Sequence, residues 1–170
     1  MLVQTPTNAF AQYQLQSGAT NPWIIGTQDN FNGNALLFRY GGADLIKFQS
    51  NGNITQPADK DGLVKAMAYV GTDGGIIECY NSLLTGSAAT TAPCGFTTDH
   101  FTAGGYTVDF GFQVSDRFVS VTPQYCGGCF QGNQNTGVNF DFFTATSLHF
   151  FTFQTNSSDT KDRAFMVIVY

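Results

Sequence analysis

Acid–base chemistry is the first possibility that the side chains of this chain suggest. Asp99 and His100 are neighbours and could belong to a catalytic triad, in which a carboxylate orients a histidine that activates a serine. The sequence shows no nucleophile elbow, the strained turn that exposes such a serine. Asp109 and Asp141 could form the carboxylate pair of a glycosidase, but both occupy polar positions of alternating segments, where an aspartate is ordinarily solvated or paired. We therefore predict no catalytic residues and no enzymatic activity.

Two segments have the residue types of a metal site. Asp59-Lys-Asp-Gly62 resembles the start of a calcium-binding loop, but Val70 stands where a twelve-residue loop needs its closing acidic residue. Cys126-Gly-Gly-Cys129 would supply two zinc ligands of four, and nothing in the sequence brings either histidine near it. We predict a polar linker at the first segment, and neither a metal nor a cofactor for the chain.

The four cysteines, Cys79, Cys94, Cys126 and Cys129, allow three full pairings. Cys79 and Cys94 bracket a loop rich in small and hydroxyl residues, and closing a loop of ~15 residues would contribute about 3 kcal/mol in the chain-entropy model. We expect these two to pair if the protein matures in an oxidising compartment. A redox enzyme needs a helix after the first cysteine of Cys-x-x-Cys; here a loop rich in Phe, Gln and Asn follows, so we predict a local disulfide or free thiols.

An uncharged, amide-rich loop is the most plausible binding segment. Gln131-Gly-Asn-Gln-Asn-Thr-Gly137 carries many hydrogen-bond donors and acceptors and is flanked by two aromatic residues. Amides can read sugar hydroxyls while an aromatic ring stacks on the apolar side of a sugar. An ordinary hairpin tip is the alternative, since surface loops are polar for many reasons. The predicted ligand-binding residues are Tyr125, Phe130, Asn133, Gln134 and Asn135.

Composition narrows the functional class. Only 11% of the residues are charged, against about a quarter in an average protein, so the surface must be polar but neutral, as suits extracellular fibres and sugar-facing proteins. A net charge of -5 and seven scattered basic residues argue against nucleic-acid binding. No apolar run approaches the ~18 residues of a membrane span, so we expect no membrane insertion. The N-terminus lacks the features of a secretory signal, which leaves another export route, a longer parent chain or release by lysis.

Hydrophobic patterning predicts an all-β chain with two parts. Segment 33–48 predicts a hairpin around Gly41-Gly42, and the polar stretch 56–62 separates a short-strand neck, 1–57, from a head domain, 58–170. Neck strands of ~4–6 residues bury too little to be stable alone. We therefore expect several copies to associate and complete one another's sheets.

The head domain shows the alternation of half-buried strands, most clearly along Gly105–Gln113. Eight short strands separated by Gly, Pro and Asn turns predict a β-sandwich or jelly roll. Leu63–Val70 could also form a helical turn, although the pattern around it favours a strand. The predicted strands are 63–70, 75–80, 94–101, 105–113, 117–122, 137–143, 147–154 and 163–170.

Phenylalanines are too numerous for one face of one sheet. Consecutive pairs such as Phe142-Phe143 and Phe150-Phe151, with Phe153 beyond them, direct rings to both faces of their strands. Rings on the outer face of a monomer would form an exposed apolar patch. We expect one face to line the core and the other a subunit interface; the alternative is that other segments of the same chain cover the outer face.

Several short motifs resemble a known class of proteins. Gly33-Asn34, Gly42-Ala43-Asp44 and Asn51-Gly-Asn-Ile54 resemble the short β repeats in the shafts and necks of phage tail fibres and trimeric bacterial surface proteins. The later segments resemble C-terminal head modules attached to such repeats, and the terminal strand resembles the C1q and TNF jelly-roll plan. Those segments are Lys65-Ala-Met-Ala-Tyr69, Ile77-Glu-Cys-Tyr-Asn81, Tyr106-Thr-Val-Asp-Phe-Gly-Phe112, Asp116-Arg-Phe118 and Ala164-Phe-Met-Val-Ile-Val169.

The resemblance implies a homotrimer with a display role that binds a glycan or another cell-surface receptor at its distal end. It carries no catalytic motif. Our leading hypothesis is therefore a trimeric fibre tip or adhesin, located outside the cell or on a virion surface. A structural subunit of a virion or extracellular assembly is the second hypothesis, and a polysaccharide hydrolase the third.

Overall fold

The computed structural model describes residues 10–15, 21–28, 35–50, 52, 54–57, 62–124, 136–155 and 159–170. These residues form thirteen β-strands and one short 3₁₀ helix, Gly86–Ala89, so the predicted all-β fold is confirmed. The chain divides into two compact units, Met1–Leu63 and Val64–Tyr170. None of the helices in the described ranges is long and apolar enough to cross a membrane.

The first unit is a single antiparallel sheet in which neighbouring strands follow chain order. The hairpin between the third and fourth strands turns on Gly41 and Gly42, whose φ angles are 59° and 84°. Two successive residues with positive φ match the twist of an antiparallel hairpin, and glycine adopts them without steric cost. The strands are β1 (Phe10–Leu15), β2 (Trp23–Gln28), β3 (Ala35–Tyr40), β4 (Ala43–Phe48) and β5 (Ile54–Thr55).

The second unit is a β-sandwich of two four-stranded antiparallel sheets. Its strands are β6 (Ala66–Val70), β7 (Ile76–Asn81), β8 (Thr97–Thr102), β9 (Gly105–Asp109), β10 (Val119–Pro123), β11 (Thr136–Phe142), β12 (Ser147–Gln154) and β13 (Phe165–Val169). One sheet has the order β10-β13-β6-β7 and the other the order β11-β12-β9-β8. Strands that follow one another in the chain pair in three hairpins, β6–β7, β8–β9 and β11–β12.

The core of the sandwich lies between the inner faces of its two sheets. The ring of Phe165 in β13 lies 4.7 Å from Phe150 in β12 and 5.4 Å from Tyr106 in β9, measured between ring centroids. All three side chains are fully buried, and burying a large apolar side chain of this kind contributes about 1.5–3 kcal/mol. Alternation along β13 directs Val167 inward and Met166 outward, as a strand with one buried face requires.

A disulfide joins Cys79 in β7 to Cys94 in the loop that follows the 3₁₀ helix. Asn81 supports the same loop, since its Nδ2 donates a hydrogen bond to the Cys94 carbonyl oxygen at 2.8 Å. The disulfide closes a loop whose two cysteines are 15 residues apart in the sequence. Cys126 and Cys129 lie outside the described residues.

One predicted strand is shorter in the structure than its alternation suggests. The pattern of 105–113 predicts a continuous strand, but β9 ends at Asp109. The chain turns there because the Gly111 amide donates to Asp109 Oδ1 at 2.9 Å and Gly111 has a φ of 71°. Phe110 and Phe112 are nevertheless buried, so the alternation reports burial correctly where it misjudges strand length.

Candidate functional site

The predicted amide-rich loop falls in a part of the chain that the structure does not describe. The structure describes the chain up to Gln124 and again from Thr136. The predicted ligand-binding residues Tyr125, Phe130, Asn133, Gln134 and Asn135 therefore lie outside the described residues. The acidic segment 59–61 lies outside them as well.

Several of the other candidate residues meet on the outer face of the sheet β11-β12-β9-β8. Cross-strand pairing places Asp141 opposite His149, His149 opposite Thr107, and Thr107 opposite Asp99. Successive strands lie ~4.8 Å apart, so these four residues form one row across the whole sheet. The row brings together one histidine and two of the aspartates that the sequence identifies as candidates for chemistry.

Aromatic rings lie next to this row on the same face, which we call the aromatic face. Phe143, just after β11, stacks on His149 with ring centroids 3.9 Å apart and an interplanar angle of 19°. Phe101 from β8 lies 5.3 Å from His149 and 6.0 Å from Phe151. The aromatic face comprises Asp99, Phe101, Thr107, Asn139, Asp141, Phe143, His149, Phe151 and Phe153.

Two glycines explain how rings on this face can lie against the sheet. A Cβ atom at Gly105 would stand 2.8 Å from Cε2 of Phe101, and a Cβ at Gly137 would overlap the ring of Phe153. Each ring therefore occupies the space that a side chain on the adjacent strand would fill. Phe101 remains 44% exposed and Phe143 remains 58% exposed, so the face offers aromatic surface to solvent.

Apart from His149, the ionisable side chains at the outward strand positions of this sheet are aspartates. The outward positions of its four strands include Asp99, Asp109 and Asp141, and the described strand residues there include neither Lys nor Arg. Asp141 Oδ1 lies 3.7 Å from His149 Nδ1, beyond hydrogen-bonding distance. This arrangement supplies hydrogen-bond acceptors beside aromatic rings, which suits a ligand that carries both hydroxyl groups and an apolar side.

Asp99 and His100, which the sequence places side by side, do not act together in the structure. Adjacent residues in a strand point to opposite faces, and His100 Nε2 lies 2.9 Å from Asp162 Oδ1 instead. The Gly104 amide donates to the same oxygen at 2.6 Å, and the Tyr106 hydroxyl lies 3.5 Å from it. We call these four residues the Asp162 cluster.

Electrostatics in the Asp162 cluster favours a charged aspartate and a neutral tyrosine. The hydrogen bond from Gly104 is the main cause that lowers the pKa of Asp162, and the hydrogen bond and charge of His100 act in the same direction. Burial, followed by the negative charge of Asp162, raises the pKa of Tyr106 to about 12. The Tyr106 hydroxyl donates to the Thr72 carbonyl oxygen at 3.1 Å. These contacts tie the β8–β9 turn to the segment before β13, which is a structural role.

The first unit exposes an apolar surface. Residues paired across its strands, such as Tyr13 with Ile25 and Ile25 with Phe38, share one face of the sheet. Tyr13 is 65% exposed and Trp23 is 49% exposed. We call this surface the apolar face; it comprises Tyr13, Leu15, Trp23, Ile25, Leu36, Phe38, Tyr40, Ile46, Phe48 and Ile54.

Charged residues of the same sheet lie on its other face. Arg39 pairs with Asp44 across β3 and β4, and Lys47 Nζ lies 3.0 Å from Asp44 Oδ2. Gln12 on β1 also points to that side, since it alternates with Tyr13. This other face is mixed, since the fully buried Ala35 and Leu37 also lie on it. The large exposed apolar side chains lie on the apolar face.

A third surface lies on the outer face of the sheet β10-β13-β6-β7. Met67, Tyr69, Glu78, Met166 and Ile168 line a groove of about 240 Å³ there. Both methionines are exposed, and methionine adapts its shape readily to an apolar partner. The groove can accept a small apolar group with Glu78 at its border.

No family model, curated protein or solved structure matches this chain. Its function must therefore be argued from the three surfaces.

Proposed function

We propose that the chain is an oligomeric attachment module whose copies associate through the apolar face and present the sandwich to a cell-surface ligand. The observation that carries this proposal is the exposed apolar face of the first unit. All seven exposed large apolar side chains that the structure describes in this unit lie on that face: Tyr13, Leu15, Trp23, Leu36, Tyr40, Phe48 and Ile54.

The size of the apolar face matches that of a subunit interface. Aromatic side chains carry ~150–250 Å² each and four of the seven are aromatic, so the seven, about half exposed, present on the order of 600 Å². A stable interface buries ~800 Å² per partner, and the half-buried Ile25, Phe38 and Ile46 adjoin this area. This area is at the upper end of the ~300–600 Å² that the largest apolar patch of a soluble monomer reaches, and such patches often mark contact sites.

We propose a trimer, as the resemblance to fibre necks and heads implies. Three copies related by a threefold axis can each turn one face inward, which removes all three apolar faces from water in a closed assembly. The jelly-roll arrangement of the head stays a prediction of the same resemblance. A neutral polar surface and the Cys79–Cys94 bond support a location outside the cell or on a virion.

The mass of the protein in solution tests this proposal. The chain mass is 18.4 kDa, and we expect light scattering at low micromolar concentration to give three times this value. A Tyr13→Lys, Leu36→Lys double variant should reduce the mass, because it places two charges in the apolar face. A Gln12→Lys variant adds a charge to the opposite face of β1 and should keep the parent mass. A parent protein with the mass of one chain would contradict the proposal.

A structural subunit without its own ligand is the second candidate. The methionine-lined groove supports it, since it offers the sandwich an additional apolar contact. Under this alternative, the purified chain should polymerise into filaments or shells. Discrete particles of three chains favour the attachment module.

A further inference from the structure

We propose that the aromatic face is a binding site for an uncharged sugar ring, with Phe101 and Phe143 as stacking surfaces and the flanking aspartates as acceptors for sugar hydroxyls. This inference rests on the proposed attachment function and names the ligand class and the site. It moves the expected recognition site from the amide-rich loop to a sheet face.

The two stacking rings are held in place by neighbouring residues of the sheet. Phe101 covers Gly105, where no Cβ keeps it away from the sheet, and Phe143 is stacked on the ring of His149. Rings supported from below in this way keep their orientation without a bound ligand. A preorganised aromatic surface loses little conformational entropy when a ligand packs on it.

Polar groups lie beside the rings in two rows of the sheet. Asp141, Asp99 and Thr107 form one row with His149, and Asn139 is opposite Phe151 in the next row. Rows on one face of a strand are ~6.7 Å apart, so Asn139 and Asp141, two residues apart on β11, are close enough for the hydroxyls of one sugar ring to reach both. Ionised carboxylates are acceptors only, and sugar hydroxyls are donors that satisfy them.

The aspartates of this sheet face distinguish between possible ligands. Three aspartates point outward from these strands without a Lys or Arg among the described strand residues. A sugar carboxylate would meet like charges and lose affinity. Contact between the aromatic faces of two copies would likewise bring aspartates against aspartates. A purely apolar ligand would desolvate the carboxylates without pairing them, which is costly. A neutral sugar avoids all three penalties.

Saturation-transfer NMR with simple glycosides tests the site. The neutral probes are the methyl glycosides of glucose, galactose, mannose and N-acetylglucosamine; the acidic probes are glucuronic acid and N-acetylneuraminic acid. We expect at least one neutral probe to bind, and to bind at least tenfold more tightly than either acidic probe. If no neutral probe binds, or if an acidic probe binds more tightly, the proposal is overturned.

Matched variants locate the binding. Phe143→Ser removes a stacking ring and should weaken binding at least tenfold. Phe118→Ser is the control, because Phe118 is 87% exposed and lies outside the aromatic face; it should bind like the parent. Asp141→Asn keeps an acceptor oxygen and removes a charge, so the preference for neutral over acidic probes should fall. Parent-like binding by Phe143→Ser would overturn the proposal.

Mass measured on the same samples separates this site from the proposed assembly. A parent with three chains but no neutral-sugar binding would overturn the site alone, whereas sugar binding by a single chain would overturn the trimer alone. If Phe143→Ser lowers the mass, the aromatic face is a contact between copies, and the sugar site is overturned. Both exposed serine variants should melt like the parent, since exposed substitutions usually change stability within ~0.5 kcal/mol.

Discussion

A single carboxylate, that of Asp162, connects distant parts of the sandwich. It accepts hydrogen bonds from His100 and Gly104, which are 62 and 58 residues away along the chain. Hydrogen bonds to an ionised group contribute ~1.5–3 kcal/mol to stability. Because this carboxylate is partly exposed, we expect its hydrogen bonds to contribute at the lower end of that range. Because the ionised form receives the bonds, the cluster makes stability depend on pH.

We expect Asp162 to contribute to stability at neutral pH and to lose that contribution in acid. Its pKa is lower in the folded protein than in the unfolded chain, so the stabilisation is present above the unfolded value of ~3.9. It disappears as the pH falls through the lower folded value. The free energy of unfolding, measured in urea, should therefore fall less between pH 7 and pH 3 in Asp162→Asn than in the parent. An equal acid dependence in the parent and the variant would contradict the assignment.

Tyr106 makes the stability of the protein fall as the pH rises in the alkaline range. Its pKa rises to about 12 in the fold from ~10 in the unfolded chain, so the folded protein holds the phenolic proton more tightly. The resulting stabilisation, about 3 kcal/mol, is complete below pH ~10 and is lost as the pH rises through the folded value. Tyr106→Phe should be less stable than the parent at pH 8 because Thr72 loses its donor. That difference should narrow at pH 11, and a constant difference would contradict the argument.

At the scale of elements, the disulfide attaches the 3₁₀ loop to β7. Cys79→Ala, Cys94→Ala should lower the free energy of unfolding by about 3 kcal/mol, because the unfolded chain regains the entropy of a loop of ~15 residues. Denaturant unfolding of the second unit measures the loss. An Asn81→Ala variant removes a second attachment of the same loop while the disulfide remains, and should cost less. No difference between parent and double variant would show that the bond is absent from the mature protein.

The positions of strands could be predicted because they depend on local sequence. Gly41-Gly42 specifies the β3–β4 hairpin, and alternation along Ser147–Gln154 matches β12. The outward direction of Phe151 and Phe153 follows from the same alternation. Such local patterns record which face of a strand is buried, but they do not record which strands become its neighbours.

The aromatic face could not be predicted because it depends on strand neighbours. β12 pairs with β9, some 40 residues earlier in the chain, and only this pairing brings Thr107 and Asp99 into one row with His149. The signals that could have indicated the site were the two glycines, Gly105 and Gly137, each opposite an outward-facing ring position. For the same reason, His100 could not be matched with Asp162 from the sequence.

At the scale of the whole molecule, the two units bury their apolar residues in different ways. The sandwich has a core between two sheets, with residues such as Phe150 and Phe165 fully buried. The first unit is one sheet in which Ala35 and Leu37 are the fully buried apolar residues among those described, and the large side chains of its apolar face stay exposed. Its stability should therefore depend on the concentration of other copies, whereas that of the sandwich should not.

Trp23 makes this difference measurable, because it is the single tryptophan of the chain and lies on the apolar face, 5.1 Å from Tyr40 between ring centroids. Association should remove its ring from water and shift its emission to shorter wavelength. Binding to the folded form stabilises by ~2.7 kcal/mol at a hundredfold excess over the dissociation constant. For a unit of this size, the melting midpoint reported by Trp23 should therefore rise on the order of 10 °C over a hundredfold increase in concentration. Asp162→Asn should shift the transition of the sandwich and leave that of Trp23 unchanged. A Trp23 midpoint that does not depend on concentration would show that the apolar face is covered within one chain, and association through it would have to be abandoned.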